Sequence, residues 1–212
     1  MTELETALVA AGDRAMALPP GEALFDLDGT LIHGDIGESA VEVLAPSGWD
    51  WPAYHALVAT DDPEARTRGS IIQAEITAQA LSGLSREQAR GLVDRAFAEG
   101  KVRVCEETVA LAARLATRHR VWMLTGSAAV LGEAVAPRVG LQRVIGLELA
   151  WSGDRLTDRI VPPVTIAGGK VTAAWVRLGC RPVFAIGDSP WDMPLLSFAR
   201  TRVGVGRIAG VQ

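Results

Sequence analysis

The sequence predicts an α/β fold: a Rossmann-like, three-layer arrangement of a parallel sheet between helices, with an all-helical module inserted near its start. Short apolar runs typical of buried strands alternate with segments of helical periodicity over most of the chain. Such alternation favours a parallel sheet with right-handed crossovers. Between residues 36 and 100, in contrast, the apolar residues follow only helical spacing. Residues 34–105 are therefore predicted to form the module, and residues 1–33 and 106–212 the α/β core.

The composition indicates a globular protein with one domain and a sizeable insertion. The chain has 212 residues, of which 49% are hydrophobic, and a formal net charge of -4 at pH 7. This slight acidity, without a long basic run, gives no electrostatic footprint for nucleic acid. Cys105 and Cys180 lie far apart and outside any CxxC pair. Neither a disulfide framework nor a zinc site is therefore expected.

Two features of the sequence bear on its compartment. No stretch of about 18 apolar residues is present, so no membrane span is predicted. The first residues include Glu3 and Glu5, where a signal peptide would carry basic side chains. We therefore expect a cytoplasmic protein that does not associate with a membrane.

The first half of the chain contains the clearest signals for element boundaries. An apolar stripe predicts a helix over residues 2–17, which the Pro-Pro-Gly sequence at 19–21 ends. The apolar run 24–32 then predicts the first strand. Within the module, Asp62-Pro63 supplies an N-cap and a first helical residue, and residues 85–88 form a capping box. These signals predict at least two helices in the module.

The α/β pattern resumes after residue 101. A helix is predicted over 107–117, a buried strand over 120–125, and a second helix from residue 126 onwards. The remaining predicted elements are a strand over 144–151, a hairpin return over 155–161, a helix from 168 to 179, and strands over 182–188 and 201–205.

Two carboxylates after the first apolar run are the main candidates for catalysis. Side chains two residues apart on a strand point to the same side, so Asp26 and Asp28 are expected to project together. Two like charges this close need a cation, a shared proton or both. A calcium loop would continue with oxygen ligands and a closing glutamate, but Thr30 and Ile32 hold the next alternate positions. Because open α/β sheets bind ligands beyond the carboxyl ends of their strands, a reactive site is predicted there.

Three further sets of residues lie at predicted element ends on the same edge of the sheet. Each has a common structural explanation, since a threonine can cap a helix, a lysine can be solvated and Gly-Asp can form a turn. Their occurrence in this order at one edge nevertheless predicts a single site. The sets are Thr125 with Gly126, Lys170, and Asp188 with Asp192.

These motifs resemble those of the haloacid dehalogenase superfamily of phosphatases. The helical insertion after the first motif resembles the phosphoserine phosphatase-like branch, in which it is a cap that selects the substrate. The resemblance implies that Asp26 is the nucleophile, which forms an aspartyl-phosphate, and that Asp28 is the general acid and base. It also implies a Mg²⁺ ion held by the Asp26 carboxylate, the Asp28 backbone carbonyl and Asp188.

The resemblance further implies how the phosphoryl group is held. Thr125, the Gly126 amide and Lys170 would bind its equatorial oxygens, where charge spreads in the transition state. Asp192 would hold a metal-bound water or orient Lys170.

Four positions bear on the choice of substrate. Asp35 occupies the place of a glutamate that reads the substrate amine in this branch. Ala80 stands where we place the arginine that holds the substrate carboxylate, and only a guanidinium clamps a carboxylate well. Phosphoserine is therefore predicted to be a poor substrate. Trp191 replaces the usual asparagine and indicates an altered pocket wall, and His33, beside the active turn, is a candidate substrate contact.

An aromatic cluster near the start of the module has two interpretations. Trp49, Trp51 and Tyr54 are typical of core packing, and they are also suited to form a wall for a quaternary ammonium group.

The sequence thus predicts a magnesium-dependent phosphomonoesterase that hydrolyses a small soluble phosphate ester. One alternative is a phosphotransferase that passes the phosphoryl group to an alcohol. Another is a non-catalytic module that senses phosphate or metal. A dehalogenase fits less well, because the second acid and Asp188 suit phosphoryl transfer.

Overall fold

The structure of the protein is a computed structural model that describes residues 2–44 and 62–209. The aromatic cluster formed by Trp49, Trp51 and Tyr54 lies outside the described residues. Helices of the described residues are α1 (Glu3–Met16), α2 (Ile36–Leu44), α3 (Pro63–Leu81), α4 (Arg86–Ala98), α5 (Glu106–Ala116), α6 (Ala129–Val135), α7 (Gly168–Leu178) and α8 (Met193–Phe198). Strands are β1 (Glu22–Phe25), β2 (Ile32–His33), β3 (Arg103–Val104), β4 (Arg120–Ala128), β5 (Val144–Ser152), β6 (Arg155–Val161), β7 (Phe184–Gly187) and β8 (Thr201–Gly204).

The core is built on a 6-stranded sheet with the order β6-β5-β4-β1-β7-β8. All neighbouring strands are parallel except β5 and β6, which form the antiparallel hairpin predicted from the sequence. Because strands that continue in parallel need crossover helices, this order confirms the predicted α/β fold.

Strand β1 lies at the centre of the sheet and packs against helices on both sides. Phe25 belongs to the larger hydrophobic cluster, which includes residues of α1, α5 and α6. Leu24 belongs to a second cluster on the opposite face, which includes residues of α7 and α8. Since alternate side chains of a strand point to opposite faces, this short apolar strand holds the three layers together.

The segment between β2 and β3 is helical in its described residues. Strands β2 and β3 pair antiparallel, so that the chain leaves and re-enters the core at one place. At the far end, the turn between α3 and α4 is tied to the β5–β6 hairpin. Gly83 donates its amide to the Leu156 carbonyl (2.8 Å), and Leu156 donates its own to Leu84 (2.9 Å). These contacts hold the helices against the core beside the carboxyl ends of the central strands.

Two element boundaries differ from the predicted ones. Strand β1 ends at Phe25, although the Asp26 amide still donates to the Ile186 carbonyl (3.0 Å). Strand β4 continues to Ala128, so the helix predicted from residue 126 begins only at Ala129. A shift in the pairing between Leu124 and Ala128 allows β4 to continue beside β5. Within residues 2–44 and 62–209, no helix has both the length and the apolar character needed to cross a membrane.

Candidate active site

A cavity of about 480 Å³ lies between the carboxyl ends of β1, β4 and β7 and the helices α2 and α3. This is the edge of the sheet at which the sequence predicts a site. The sequence-predicted residues that line the cavity are Asp26, Asp28, Asp35, Gly126, Lys170, Asp188 and Trp191. Thr125 and Asp192 lie directly behind this wall, and both are completely buried.

Lys170 connects two buried carboxylates. Its Nζ atom donates to Asp26 Oδ1 (2.6 Å) and to Asp192 Oδ1 (2.5 Å). Burial, and then the charge of Asp192, raise the pKa of Asp26 well above its ordinary value, against the opposing charge of Lys170. Burial alone would lower the pKa of Lys170, but the Asp192 and Asp26 carboxylates raise it. Lys170 therefore remains an ammonium group next to the Asp26 carboxylate.

Asp192 is fixed in place by its own turn. Its Oδ2 atom accepts hydrogen bonds from the Ser189 amide (3.1 Å) and the Ser189 hydroxyl (2.7 Å). A Cβ atom on Gly187 would lie only 2.5 Å from the Asp192 Cβ, so glycine is needed at that position. Asp192 therefore orients Lys170 towards Asp26.

Asp28 has a separate set of partners. Its Oδ1 atom accepts the Ile36 amide (2.8 Å), and its Oδ2 atom accepts the hydroxyls of Thr125 (3.1 Å) and Ser127 (2.8 Å). Burial, and then the charge of Asp35, raise the pKa of Asp28 to about 7. A carboxyl group with such a pKa can both donate and accept a proton near neutral pH, as general acid–base catalysis requires.

Ser127 is a site residue whose role was not predicted from the sequence. Its amide donates to Thr125 Oγ1 (2.9 Å), while the Thr125 hydroxyl itself faces Asp28. The two hydroxyls thus meet on one carboxylate oxygen. Their spacing of two residues on a strand was an available signal, because such residues share a side.

Carboxylate oxygens of Asp26, Asp188 and Asp192 lie within 4.8 Å of one another. Both oxygens of Asp192 accept hydrogen bonds from Lys170 or Ser189, so Asp26 and Asp188 are better placed to hold a cation. A Cβ atom on Gly29, which has a φ of 74°, would lie 2.4 Å from Asp188 Oδ2. The Asp188 carboxylate therefore lies against the backbone that follows Asp28. Hard oxygen ligands of this kind fit a Mg²⁺ ion.

The side of the cavity formed by the insertion is acidic and polar. Asp35 Oδ1 accepts the Glu38 amide (2.8 Å), and the Gln73 amide group contacts both Asp35 Oδ2 (3.4 Å) and Glu38 (3.2 Å). On α3, Ser70, Gln73, Ala74 and Thr77 line the cavity. Ala80, which the sequence analysis aligned with a carboxylate-binding arginine, lies one turn further along the helix and is not part of the described wall.

Two predictions about the substrate pocket have different outcomes. Trp191 lines the cavity, with the Arg207 guanidinium 5.2 Å from its ring centroid. His33 is exposed on β2 and lies outside the described cavity wall, because Ile32 before it points into the core. Arg207, 3.7 Å from Asp188 Oδ2, lines the cavity and was missed, since an arginine after the last strand has no distinctive pattern.

Comparison with known proteins identifies the class to which this fold and site belong. Residues 23–197 match the family model of the haloacid dehalogenase-like hydrolases. The chain therefore belongs to this family of hydrolases. The matched segment extends from the start of β1 into α8, so it contains both aspartates of the first motif, Lys170 and Asp192. No significant match is found among curated protein sequences.

Solved structures share the fold at low sequence identity. A protein of unknown function from Bordetella pertussis Tohama I is 19% identical, with a TM-score of 0.63, and the match covers 88% of this chain and 90% of that one. A phospho-aspartyl intermediate analogue of phosphoserine phosphatase is 15% identical, with a TM-score of 0.62 and coverage of 90% of both chains. Cytosolic 5′-nucleotidase IIIB bound to cytidine is 13% identical, with a TM-score of 0.60 and coverage of 96% and 76%.

Proposed function

We propose that this hydrolase is a magnesium-dependent phosphomonoesterase that acts on a small soluble phosphate ester. The observation that carries the proposal is that two carboxylates in one cavity have different partners, which suit them to different chemical roles. Asp26 lies beside the Lys170 ammonium group, whereas Asp28 is bound by two hydroxyls and an amide. Family membership supports hydrolysis, and phosphatases are among the structures that share the fold.

The first step transfers the phosphoryl group to the protein. A carboxylate oxygen of Asp26 attacks phosphorus, and the bond between phosphorus and the ester oxygen breaks. Asp28 gives its proton to the departing oxygen, so that an alcohol leaves and Asp26 becomes an aspartyl-phosphate. The pKa of about 7 supports a protonated Asp28 at this stage.

The second step returns the protein to its starting state. Asp28, now a carboxylate, takes a proton from a water molecule while the water oxygen attacks phosphorus. The bond between phosphorus and Asp26 breaks, and inorganic phosphate is released. Atoms and protons balance over the cycle, because the proton that Asp28 gives to the alcohol in the first step is replaced by one from water in the second, and the remaining hydroxyl of that water stays on the phosphate.

The surrounding residues stabilise the charge that builds up on the phosphoryl oxygens. Lys170 and the Gly126 amide would donate to these oxygens, since both residues line the cavity. Thr125, for which the resemblance implies the same role, lies behind the cavity wall and donates to Asp28 instead, and Asp192 accepts from Lys170. Asp26, Asp188 and the Asp28 carbonyl would hold Mg²⁺, which neutralises the negative charge of the phosphoryl group when bound. Residues 34–105 would act as the cap, because α2 and α3 line the cavity opposite the sheet.

The test is phosphate release from aryl and alkyl phosphates with Mg²⁺ and after its removal with a chelator. We expect turnover that is lost with the chelator and restored by added Mg²⁺. A matched binding measurement, the shift in melting temperature on adding Mg²⁺, separates loss of metal from loss of fold. Full activity in chelator would contradict the metal assignment. Phosphate appearing on an added alcohol in place of free phosphate would indicate a phosphotransferase.

A further inference from the structure

The turn after β8 places Arg207 beside Asp188 at the edge of the cavity. The Arg207 amide donates to the Asp188 carbonyl (3.0 Å). A Cβ atom on Gly206 would lie 3.1 Å from the Asp188 Cβ, so this turn packs directly on the acid. The guanidinium lies 3.7 Å from Asp188 Oδ2, and Arg207 lines the cavity. Its side chain is 63% exposed, so a ligand can reach it.

Trp191 supports the guanidinium without using its hydrogen-bond donors. The central carbon of the guanidinium lies over the indole ring, 5.2 Å from its centroid, which is within the range of a cation–π contact. The five N–H donors of an arginine lie in the plane of its guanidinium, so an aromatic face below them leaves them free. Among the described residues, these donors have no hydrogen-bond partner, because Asp188 Oδ2 is beyond hydrogen-bond distance.

The charges of the proposed first step leave room for one more cation. A phosphate ester brings about two negative charges to a site that already contains the carboxylates of Asp26, Asp188 and Asp192. These charges exceed those of the Lys170 ammonium group and a bound Mg²⁺ ion by about two, with the general acid counted as protonated. Lys170 is already hydrogen-bonded to two of the acids. Among the described cavity-lining residues, the other cationic side chain is that of Arg207.

We propose that Arg207, supported by the Trp191 ring, binds a phosphoryl oxygen of the substrate and is a further catalytic residue of this site. This inference rests on the proposed phosphatase function and adds a residue to it. The same guanidinium opposes the binding of Mg²⁺, because both cations are attracted to the Asp188 carboxylate and repel each other. Loss of Arg207 should therefore weaken phosphate binding and strengthen Mg²⁺ binding, whereas general damage to the site would weaken both.

The first measurement is the affinity for inorganic phosphate, by titration calorimetry with saturating Mg²⁺. Arg207→Gln should raise the Kd of phosphate by about 10–100-fold, since it removes charge-assisted hydrogen bonds to an anion. The kcat/KM for an aryl phosphate should fall by a similar factor. Most of that loss should be in KM, because the phosphate group carries its charge before the reaction as well as in the transition state.

The second measurement is the affinity for Mg²⁺ in the absence of phosphate. It is made at pH 8, well above the pKa of about 6 of Asp188, so that the carboxylate is ionised in every variant. Arg207→Gln should lower the Kd of Mg²⁺ by about threefold to tenfold. Arg207→Lys should leave it near the wild-type value, because the charge is kept. The lysine variant should recover only part of the phosphate affinity, since an ammonium group lacks the planar fork of a guanidinium.

Two further variants test the support and the effect of charge alone. Trp191→Leu should weaken phosphate binding by about twofold to fivefold, because the guanidinium remains but loses its aromatic face. Arg200→Gln is the matched control. It also removes one exposed arginine charge, but it lies before the start of β8, at the opposite edge of the sheet from the cavity. It should change neither dissociation constant.

Three outcomes would overturn the inference. One is an Arg207→Gln variant that binds phosphate as tightly as the wild type. If the wild type also hydrolyses aryl phosphates, this result refutes the role of Arg207 and leaves the proposed function intact. Another is weaker binding of both phosphate and Mg²⁺ in Arg207→Gln, which would assign the arginine a structural role. A wild-type protein that neither binds phosphate nor hydrolyses any ester would refute both proposals.

Discussion

Glu22 is the first residue of strand β1 and Asp26 directly follows its last, and both carboxylates are buried, with 2% and 3% exposure. Glu22 accepts hydrogen bonds from the Arg120 guanidinium and from the Trp122 indole (2.7 Å). Burial by itself would raise the pKa of Glu22, but these partners hold it below its ordinary value. Burial, and then the charge of Asp192, raise the pKa of Asp26, and the Lys170 ammonium group that the two acids share opposes this only in part.

The difference between the two ends is one of charge balance. At the amino end of β1, one buried acid is paired with the Arg120 guanidinium, and the charge of Arg143 also favours the carboxylate. At the carboxyl end there are four acids, Asp26, Asp28, Asp188 and Asp192. Lys170 contacts Asp26 and Asp192, and Arg207 lies 3.7 Å from Asp188. Burying more carboxylates than cations costs free energy unless a metal ion or a proton binds to them. A balanced buried acid thus stabilises the fold, whereas an unbalanced group of acids indicates a functional site.

The largest expected effect is that of Asp26→Asn. An amide cannot form the acyl-phosphate, so turnover should fall by about 10⁴-fold or more on every substrate. Because the folded state disfavours the charged carboxylate, the metal-free variant should melt at a higher temperature than the wild type. Steady-state kinetics and calorimetry measure the two effects. Retained turnover, or a phosphoenzyme detected in this variant by intact-protein mass spectrometry, would reverse the assignment of the two acids.

The next largest effect is that of Asp28→Asn, which should depend on the leaving group. Turnover of an alkyl phosphate should fall by about 10²–10⁴-fold, since the alkoxide needs a proton to depart. An aryl phosphate should instead give a burst of phenol and a protein that carries phosphate on Asp26, because only the second step still needs a base. Rapid-quench kinetics with mass spectrometry measures this. Equal losses on both substrates, without a burst, would contradict the proposed role.

Asp188→Asn should act through the metal. Loss of one ligand is expected to weaken Mg²⁺ binding by about 10²-fold, and added Mg²⁺ should restore part of the activity. The metal-free variant should be at least as stable as the wild type, since the pKa of Asp188 is raised to about 6 by burial and then by Asp192. Mg²⁺ titrations followed by melting temperature test this prediction. An unchanged Mg²⁺ dependence would exclude Asp188 as a ligand.

Glu22→Gln should lower stability and leave activity unchanged, which is the opposite of the result expected for Asp26→Asn. It should lower the free energy of unfolding by about 1–3 kcal/mol, because it removes a charge-assisted hydrogen bond in a buried place. Its kcat/KM should equal that of the wild type, since the change lies at the opposite edge of the sheet. Denaturant titrations and kinetics on the same samples make the comparison with Asp26→Asn direct. Lost activity with unchanged stability would contradict the division between the two ends.

His119 provides the smallest expected effect and a dependence on pH. The side chain is 5% exposed, contacts the Ala15 carbonyl and lies near Arg118. Burial is the main cause that lowers its pKa below the ordinary value of about 6.5. The unfolded chain then binds more protons, so this stabilising contribution is present above about pH 6.5 and is lost as the pH falls below it. In His119→Gln, the free energy of unfolding should decline less between pH 7 and 5 than in the wild type. An identical decline in the two proteins would show that His119 does not contribute to the pH dependence of stability.

Much of the core was predictable because its signals are local. The caps, the apolar periodicity and the breaks at proline and glycine involve residues a few positions apart. These local signals predicted the order of the helices and strands and the edge of the sheet at which the site lies. The exact end of β4 was not predictable, because the strand passes an irregularity after Leu124 and pairs with β5 again at Ala128. A Gly-Ser pair taken alone is typical of a strand end.

The sequence by itself determined the fold class, the helical insertion and the set of carboxylates at the strand ends, since each is carried by a local pattern. Tertiary structure decided which partners these side chains have. Asp26 and Lys170 are 144 positions apart, and Asp28 and Ser127 are 99 apart. It also decided that Thr77, and not Ala80, lines the cavity, and that His33 does not. Such choices depend on the rotation of a helix or strand against its neighbours, and packing across the whole chain sets that rotation.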